Sequence, residues 1–296
     1  MRRAFFIVGP TAVGKSDVAA EVARRLGAEV LSADAFQVYR RLDVLTAKPN
    51  STVLAKAPHH LIGSVELSEE MNAEKFRTEA ETILLRGRPT IVVGGTGLYV
   101  KALTHGLASL PEANQQLREK LERTTSAELL RCLRSLDPDT AEKIDRNNRR
   151  RLVRAVEVCL VTGKPFSAQR TGWNEITSAQ GILVYRDRDE ICSRINQRVE
   201  DMFRAGVVEE VRAAGNVGTT AEKTLGLREI RALIAGEISQ TECIARIQQA
   251  TRRYAKRQLT WFHRQTNFPS LNLTAHRPAE AVELISQSAS RVFAGE

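Results

Sequence analysis

The sequence predicts an α/β fold: a phosphate-loop (P-loop) core built on a parallel sheet, with a helical insertion domain. Three observations carry that prediction. An apolar run near the N-terminus leads straight into a glycine-rich phosphate loop and then a helix. Short apolar runs recur later, each followed by turn residues or by helical spacing. Between about residues 107 and 179 the strand signals vanish and only helical periodicity is left.

The first run, Ala4-Phe5-Phe6-Ile7-Val8, is continuous, as in a strand buried on both faces. It opens into Gly9-Pro10-Thr11-Ala12-Val13-Gly14-Lys15-Ser16, a full match to G-x-x-x-x-G-K-[ST]. From Asp17 to Leu26, the residues Val18, Val22 and Leu26 share one helical face, and Gly27 supplies the stop. Glycines let backbone N–H groups curl around phosphate oxygens, and the helix N-terminus adds partial positive charge. Lys15 is placed to reach the outer phosphate, and Ser16 to ligate Mg²⁺. Loops of this kind usually bind ATP or another nucleotide, so the loop alone does not name a reaction.

Two further strands are expected at Glu29-Val30-Leu31-Ser32 and Thr90-Ile91-Val92-Val93. The first ends at Asp34, and the second at Gly94-Gly95-Thr96-Gly97 with no acid. Catalytic groups of open parallel sheets gather at the carboxyl ends of strands, so Asp34 and Thr96 point toward the phosphate loop. A lone Asp after a strand also caps turns, and that reading stays open here. Another strand, Ile182 to Tyr185, precedes a helix beginning near Asp189. Arg194 and Arg198 lie four apart on one face of it, either as phosphate ligands or as a solvated basic face.

The 296 residues carry 44 Lys plus Arg against 35 Asp plus Glu, a formal charge of +9 that suits an anionic partner. An apolar content of 42% supports a real core. No apolar run approaches the roughly 20 residues that span a bilayer, and no signal peptide is evident. Cys132, Cys159, Cys192 and Cys243 are too scattered for a disulfide framework or a structural zinc site. The expectation is a cytoplasmic monomer with no membrane association.

Within the insertion, helices are expected over Gln115 to Arg123, Ala127 to Leu136 and Arg149 to Leu160. Arg146, Arg149, Arg150, Arg151, Arg154, Lys164 and Arg170 face only Glu157 in that stretch, a charge balance suited to nucleic-acid phosphates. A second basic run, Arg252, Arg253, Lys256, Arg257 and Arg264, interleaves Tyr254, Trp261 and Phe262. It reads either as a surface for stacking unpaired bases or as helix core with a solvated face. Adjacent His59 and His60 lack companions at metal-ligand spacing and suit a structural or substrate-loop role. The partition expected is a discontinuous core of residues 1–107 and 180–275, an insertion at 108–179, and a tail at 276–296. A short strand is expected at Ser270 to Leu273, and the tail shows a weak helix near Pro278 and no motif.

Taken in order, several stretches resemble the tRNA dimethylallyltransferases, also called tRNA isopentenyltransferases. They are the phosphate loop; Ser32-Ala33-Asp34-Ala35-Phe36-Gln37-Val38-Tyr39; Thr46-Ala47-Lys48-Pro49; Pro58-His59-His60-Leu61; and Val93-Gly94-Gly95-Thr96-Gly97-Leu98-Tyr99. Arg151 to Val158 and Thr251 to Trp261 (TRRYAKRQLTW) complete the likeness, which runs from Phe5 to about Phe262. The chain departs from that family at Ala35, where Ser is usual, at Leu45, where Gly is usual, and at Leu227, where Tyr is usual. Gly63 stands where an acid is common.

The resemblance implies transfer of a dimethylallyl group from dimethylallyl diphosphate to the exocyclic N6 amine of the adenosine 3′ to a tRNA anticodon. It implies Asp34 as the base, with Thr96 and Arg198 as further catalytic residues and Mg²⁺ on the diphosphate. It also implies tRNA contacts from Asp34, Ala35, Phe36, Gln37, Thr96, Arg118 and Arg150-Arg151-Leu152-Val153-Arg154. The rival readings are a nucleotide or small-molecule kinase using the same loop for ATP, an adenylate prenyltransferase, and a non-catalytic RNA-binding module.

Overall fold

The computed structural model describes residues 3–107, 110–111, 114–169 and 179–295. Six strands, β1 (Ala4–Val8), β2 (Glu29–Ser32), β3 (His59–His60), β4 (Thr90–Gly94), β5 (Gln180–Tyr185) and β6 (Ser270–Asn272), form one parallel sheet in the order β3-β2-β4-β1-β5-β6. Phe6, Val8, Leu31, Val92 and Leu183 enter the core on one face. Phe5, Ile7, Val30, Ile91, Val93, Ile182 and Val184 enter it on the other. Burial on both faces is why these strands read as unbroken apolar runs rather than alternations.

β3 had no such signal. Its two histidines pair with Val30 and Leu31 at the sheet edge. His60 Nε2 lies 2.8 Å from Oε2 of buried Glu29, whose Oε1 accepts from Arg88 Nη1 at 2.8 Å. The histidine pair thus has a structural place: it forms the edge strand, and His60 gives a buried carboxylate of β2 a hydrogen-bond partner.

In the first half of the chain, α1 (Lys15–Leu26), α2 (Ser51–Leu54), α3 (Ala73–Leu84) and α4 (Gly97–His105) join the strands. α1 begins at Lys15, two residues before the expected start, so the loop runs directly into its first turn. It ends where expected, on Gly27 with φ 59°.

The chain divides into two compact units, one of residues 1–104 with 177–296 and one of residues 105–176. The second is helical: α5 (Gln115–Arg123), α6 (Ser126–Leu136), α7 (Pro138–Lys143), α8 (Arg149–Thr162) and α9 (Phe166–Gln169). Its own core is Leu121, Leu129, Leu133, Leu152, Val153, Val156 and Cys159. Side chains of Asn114, Thr125, Asp137 and Asn148 cap its helices. Arg170 lies outside the described residues.

The chain then returns to the first unit with α10 (Arg188–Arg204), α11 (Val207–Ala214), α12 (Leu227–Ile234), α13 (Gln240–Gln265) and α14 (Pro278–Ala294). α14 begins at Pro278, where a weak helix was expected, and is firmly packed. Ala281, Val282, Ile285, Ala289 and Val292 recur at helical spacing and are buried with Val18, Val22 and Ala23 of α1 against the sheet. Among the described residues no helix is long and apolar enough to cross a membrane, and all four cysteines are free.

Candidate active site

The phosphate loop leaves β1 through Gly9, where a Cβ would lie 2.2 Å from the Val184 carbonyl oxygen. It turns at Ala12 (φ 63°) and Gly14 (φ 94°), a left-handed backbone of the kind that gathers N–H groups into an anion-binding concavity. Side chains from elsewhere fasten this backbone. Arg186 Nε donates to Val13 O (2.9 Å), Arg194 Nε to Ala12 O (2.9 Å) and Arg198 Nη1 to Thr11 Oγ1 (3.2 Å). Gln258 accepts from Thr11 N–H (2.9 Å) and donates to Gly95 O (2.8 Å), bracing the loop to the end of β4. Arg194 and Arg198 were legible in the sequence. Arg186 and Gln258 were not, although Gln258 sits inside the A-K-R-Q segment.

The ends of β2 and β4 are similarly interlocked. Ala33 N–H donates to Val93 O (2.7 Å) and Thr96 N–H to Ala33 O (3.2 Å); a Cβ on Gly94 would lie 2.2 Å from Ala33 O. A Cβ on Gly97 would lie 2.4 Å from the Trp261 ring. Phe262 is fully buried, and Trp261, packed against Gly97 and the core, is partly buried. Tyr254 alone of that aromatic run lines the cavity, its ring 6.4 Å from that of Phe36. Burial, with the nearby Asp34 charge, raises the Tyr254 phenol well above its ordinary pKa.

Asp34 combines two placements. Its Oδ1 accepts from the N–H groups of Phe36 (2.9 Å) and Gln37 (3.2 Å), so it caps the turn, and it also lines the cavity. Thr96 lies just behind the cavity wall, its side chain hydrogen-bonded to that of Tyr254. Its Oγ1 accepts from Ala35 N–H at 3.0 Å, and the residue is not part of the cavity wall. It therefore positions the segment that carries Asp34.

The cavity is about 650 Å³. Thr11, Gly14, Lys15, Ser16, Asp34, Arg194 and Arg198 give it polar and charged walls. Leu45, Val199, Met202, Leu225 and Ile247 give it apolar lining as well. Lys15 Nζ donates to Pro10 O at 3.1 Å. Burial pulls its pKa down to about 8 and the Arg198 charge also lowers it, while Asp34 opposes the shift. Burial likewise lowers the Arg198 guanidinium below its ordinary value, again opposed by Asp34.

A family model described as IPP transferase matches residues 37–265. A tRNA dimethylallyltransferase 1 from Citrifermentans bemidjiense is 43% identical over 270 residues, covering 88% of each chain. The tRNA dimethylallyltransferase of Phenylobacterium zucineum is 41% identical over 288 residues, covering 93% of this chain and 94% of that one. The chain belongs to the tRNA dimethylallyltransferase family. Among solved structures it is similar to the full-length tRNA isopentenylpyrophosphate transferase of Bacillus halodurans, with a TM-score of 0.73, 32% identity, and coverage of 99% and 97%. A eukaryotic dimethylallyltransferase acting on tRNA shares the fold at a TM-score of 0.81 and 24% identity.

For a dimethylallyltransferase, the surprise lies in the insertion. Glu157 is fully buried there. Its Oε2 accepts from Arg118 Nη2 (2.7 Å) and Arg154 Nη1 (2.9 Å), and its Oε1 from Asn114 N–H (3.1 Å). Arg154 also donates to Pro111 O at 2.7 Å. Arg118 and Arg154, expected to meet tRNA, are thus engaged inside the unit. Leu152 and Val153, expected in the same role, are buried core. Arg150 and Arg151 alone of that stretch are exposed. The departure at Leu227 is likewise absorbed by burial, the side chain being fully enclosed.

This division of labour is measurable by thermal melting. Arg154→Ala leaves part of a buried carboxylate and a carbonyl unpaired and should cost about 1–3 kcal/mol. Replacing Arg150 and Arg151 with Glu should change stability by no more than about 0.5 kcal/mol each. Equal losses in both variants would show that the Glu157 cluster is not what distinguishes them.

Proposed function

We propose that this chain transfers a dimethylallyl group from dimethylallyl diphosphate to the N6 amine of the adenosine 3′ to the anticodon of tRNA, releasing diphosphate. The observation that carries this reading is a single cavity holding the phosphate loop, the Asp34 carboxylate and an apolar wall. A kinase needs no apolar wall beside its phosphates, and a binding module needs no carboxylate there.

The donor's diphosphate lies along the loop backbone with Lys15 and Arg198, and its prenyl chain lies on the apolar wall. As the C–O bond breaks, the electron pair leaves with the diphosphate oxygen, where the two cations meet the developing charge. The adenine nitrogen forms the new C–N bond and gives up a proton. Asp34 accepts that proton through the oxygen not committed to the turn. Thr96 and Tyr254 act through position, by holding the Asp34 segment and the cavity wall. The residues present suit Mg²⁺: Ser16 offers a hard oxygen from the first turn of α1. Among the described residues there is no group of three or more His, Cys, Asp or Glu to form a dedicated cage. That pattern suits an ion held largely by substrate oxygens and water, and when bound it supplies further charge neutralisation for the diphosphate. Exposed Arg150 and Arg151 supply attraction for tRNA phosphates.

Two measurements test these roles. Asp34→Asn keeps an Oδ1 to cap the turn but loses the proton acceptor. Its melting temperature should stay near wild type, while single-turnover transfer slows by about 10²–10⁴-fold. A variant destabilised by about 1 kcal/mol with near-normal transfer would make Asp34 only a cap.

The second is a pH profile. Lys15 carries its proton below a pKa of about 8 in the free protein and loses it above. Donor kcat/KM should therefore fall as pH rises through that value, approaching about tenfold per pH unit. The corresponding limb in kcat should lie higher, because bound diphosphate favours the ammonium form. A kcat/KM profile that stays flat well above pH 8 would remove Lys15 from the donor site.

A further inference from the structure

One apolar wall residue of the cavity is fixed far more firmly than its place in a loop would require. Leu45 lines the cavity and is only 4% exposed. The N–H groups of Val44 and Leu45 donate to Oε1 and Oε2 of Glu210, each at 2.8 Å. The next carbonyl, that of Thr46, accepts from Arg198 Nη2 at 3.3 Å. Arg198 in turn donates to Thr11 of the phosphate loop. A short chain of hydrogen bonds, Thr11 to Arg198 to Thr46, thus ties the Leu45 backbone to the loop that holds the leaving group.

The side chain has little room to yield behind it. A Cβ on Gly226 would lie 3.2 Å from Leu45 Cδ1 and 3.5 Å from Ile247 Cδ1. Gly226 itself adopts φ +92°, a conformation that side-chain-bearing residues rarely take. Leu45, Ile247 and the Gly226 backbone are therefore closely packed together in the cavity's apolar lining. Close-packed interiors respond to even a single added methylene.

We propose that Leu45 sets the length of prenyl chain this site accepts, admitting the five-carbon dimethylallyl group and excluding the ten-carbon geranyl group. The proposal rests on the donor assignment made above. It goes beyond it by naming the residue that limits the donor and the class of donor that is refused.

The test compares dimethylallyl diphosphate with geranyl diphosphate as donors to tRNA, for wild type, Leu45→Ala and Leu45→Val. Inhibition by inorganic diphosphate, which has no prenyl chain, is measured alongside. Wild type should use only the shorter donor efficiently. In Leu45→Ala the ratio of kcat/KM, geranyl over dimethylallyl, should rise at least about tenfold, the scale of discrimination by methylene-sized differences in an apolar pocket. Inhibition by inorganic diphosphate should move much less. Leu45→Val removes less volume and should shift the ratio in the same direction by a smaller factor, so it decides the matter if the alanine variant does not fold. A folded variant of either kind that still transfers dimethylallyl with an unchanged ratio overturns the role of Leu45 and leaves the donor assignment standing. Absence of transfer from dimethylallyl diphosphate by wild type overturns the donor assignment and this inference with it.

Discussion

Four side chains hold the phosphate loop from outside: Arg186 on Val13, Arg194 on Ala12, Arg198 on Thr11, and Gln258 between Thr11 and Gly95. They come from the end of β5, from α10 and from α13. A positive φ costs nothing at Gly14 but strains Ala12, a conformation that persists only where the surroundings hold it, and these bonds do so. Everything the site does follows from that restraint. It fixes where anionic oxygens can bind, and through Arg198 and Thr46 it fixes the apolar wall. Through Gln258 it ties the loop to the end of β4, beside the segment that carries Asp34.

The electrostatics follow from the same packing. Lys15 and Arg198 are two cations brought together with one carboxylate, Asp34, and burial disfavours the charge on each cation. An anion with several oxygens relieves that cost, and relief grows as negative charge accumulates on it. A site of this kind favours a reaction in which a polyanion departs. The proposed role of Asp34 as base is compatible with this packing, because the turn is capped through Oδ1 alone.

Legibility in the sequence followed the range of the interactions. The loop, α1 and five of the strands were readable because local pattern determines them: an apolar run, glycines at fixed spacing and a helical stripe. β3 escaped because two histidines at an edge have no apolar signature; their place is set by Glu29 and Arg88, far away in sequence. α14 was underread because its small buried residues, Ala281 and Ala289 among them, give a weak periodic signal. The pairing of the insertion arginines was hidden for a related reason. Charge counting treats Glu157 as one acid among many bases, whereas in the fold it is the buried centre to which Arg118 and Arg154 turn. Thr96 was found as a site residue by its motif, but only the geometry separates positioning from contact.

The most direct test of the account is to supply the wild-type protein with dimethylallyl diphosphate, Mg²⁺ and tRNA, without ATP, and to analyse the nucleosides and the released phosphates. The account predicts dimethylallylated adenosine in the tRNA with one diphosphate released for each group transferred. Unmodified adenosine under these conditions, or phosphoryl transfer on adding ATP, would contradict it.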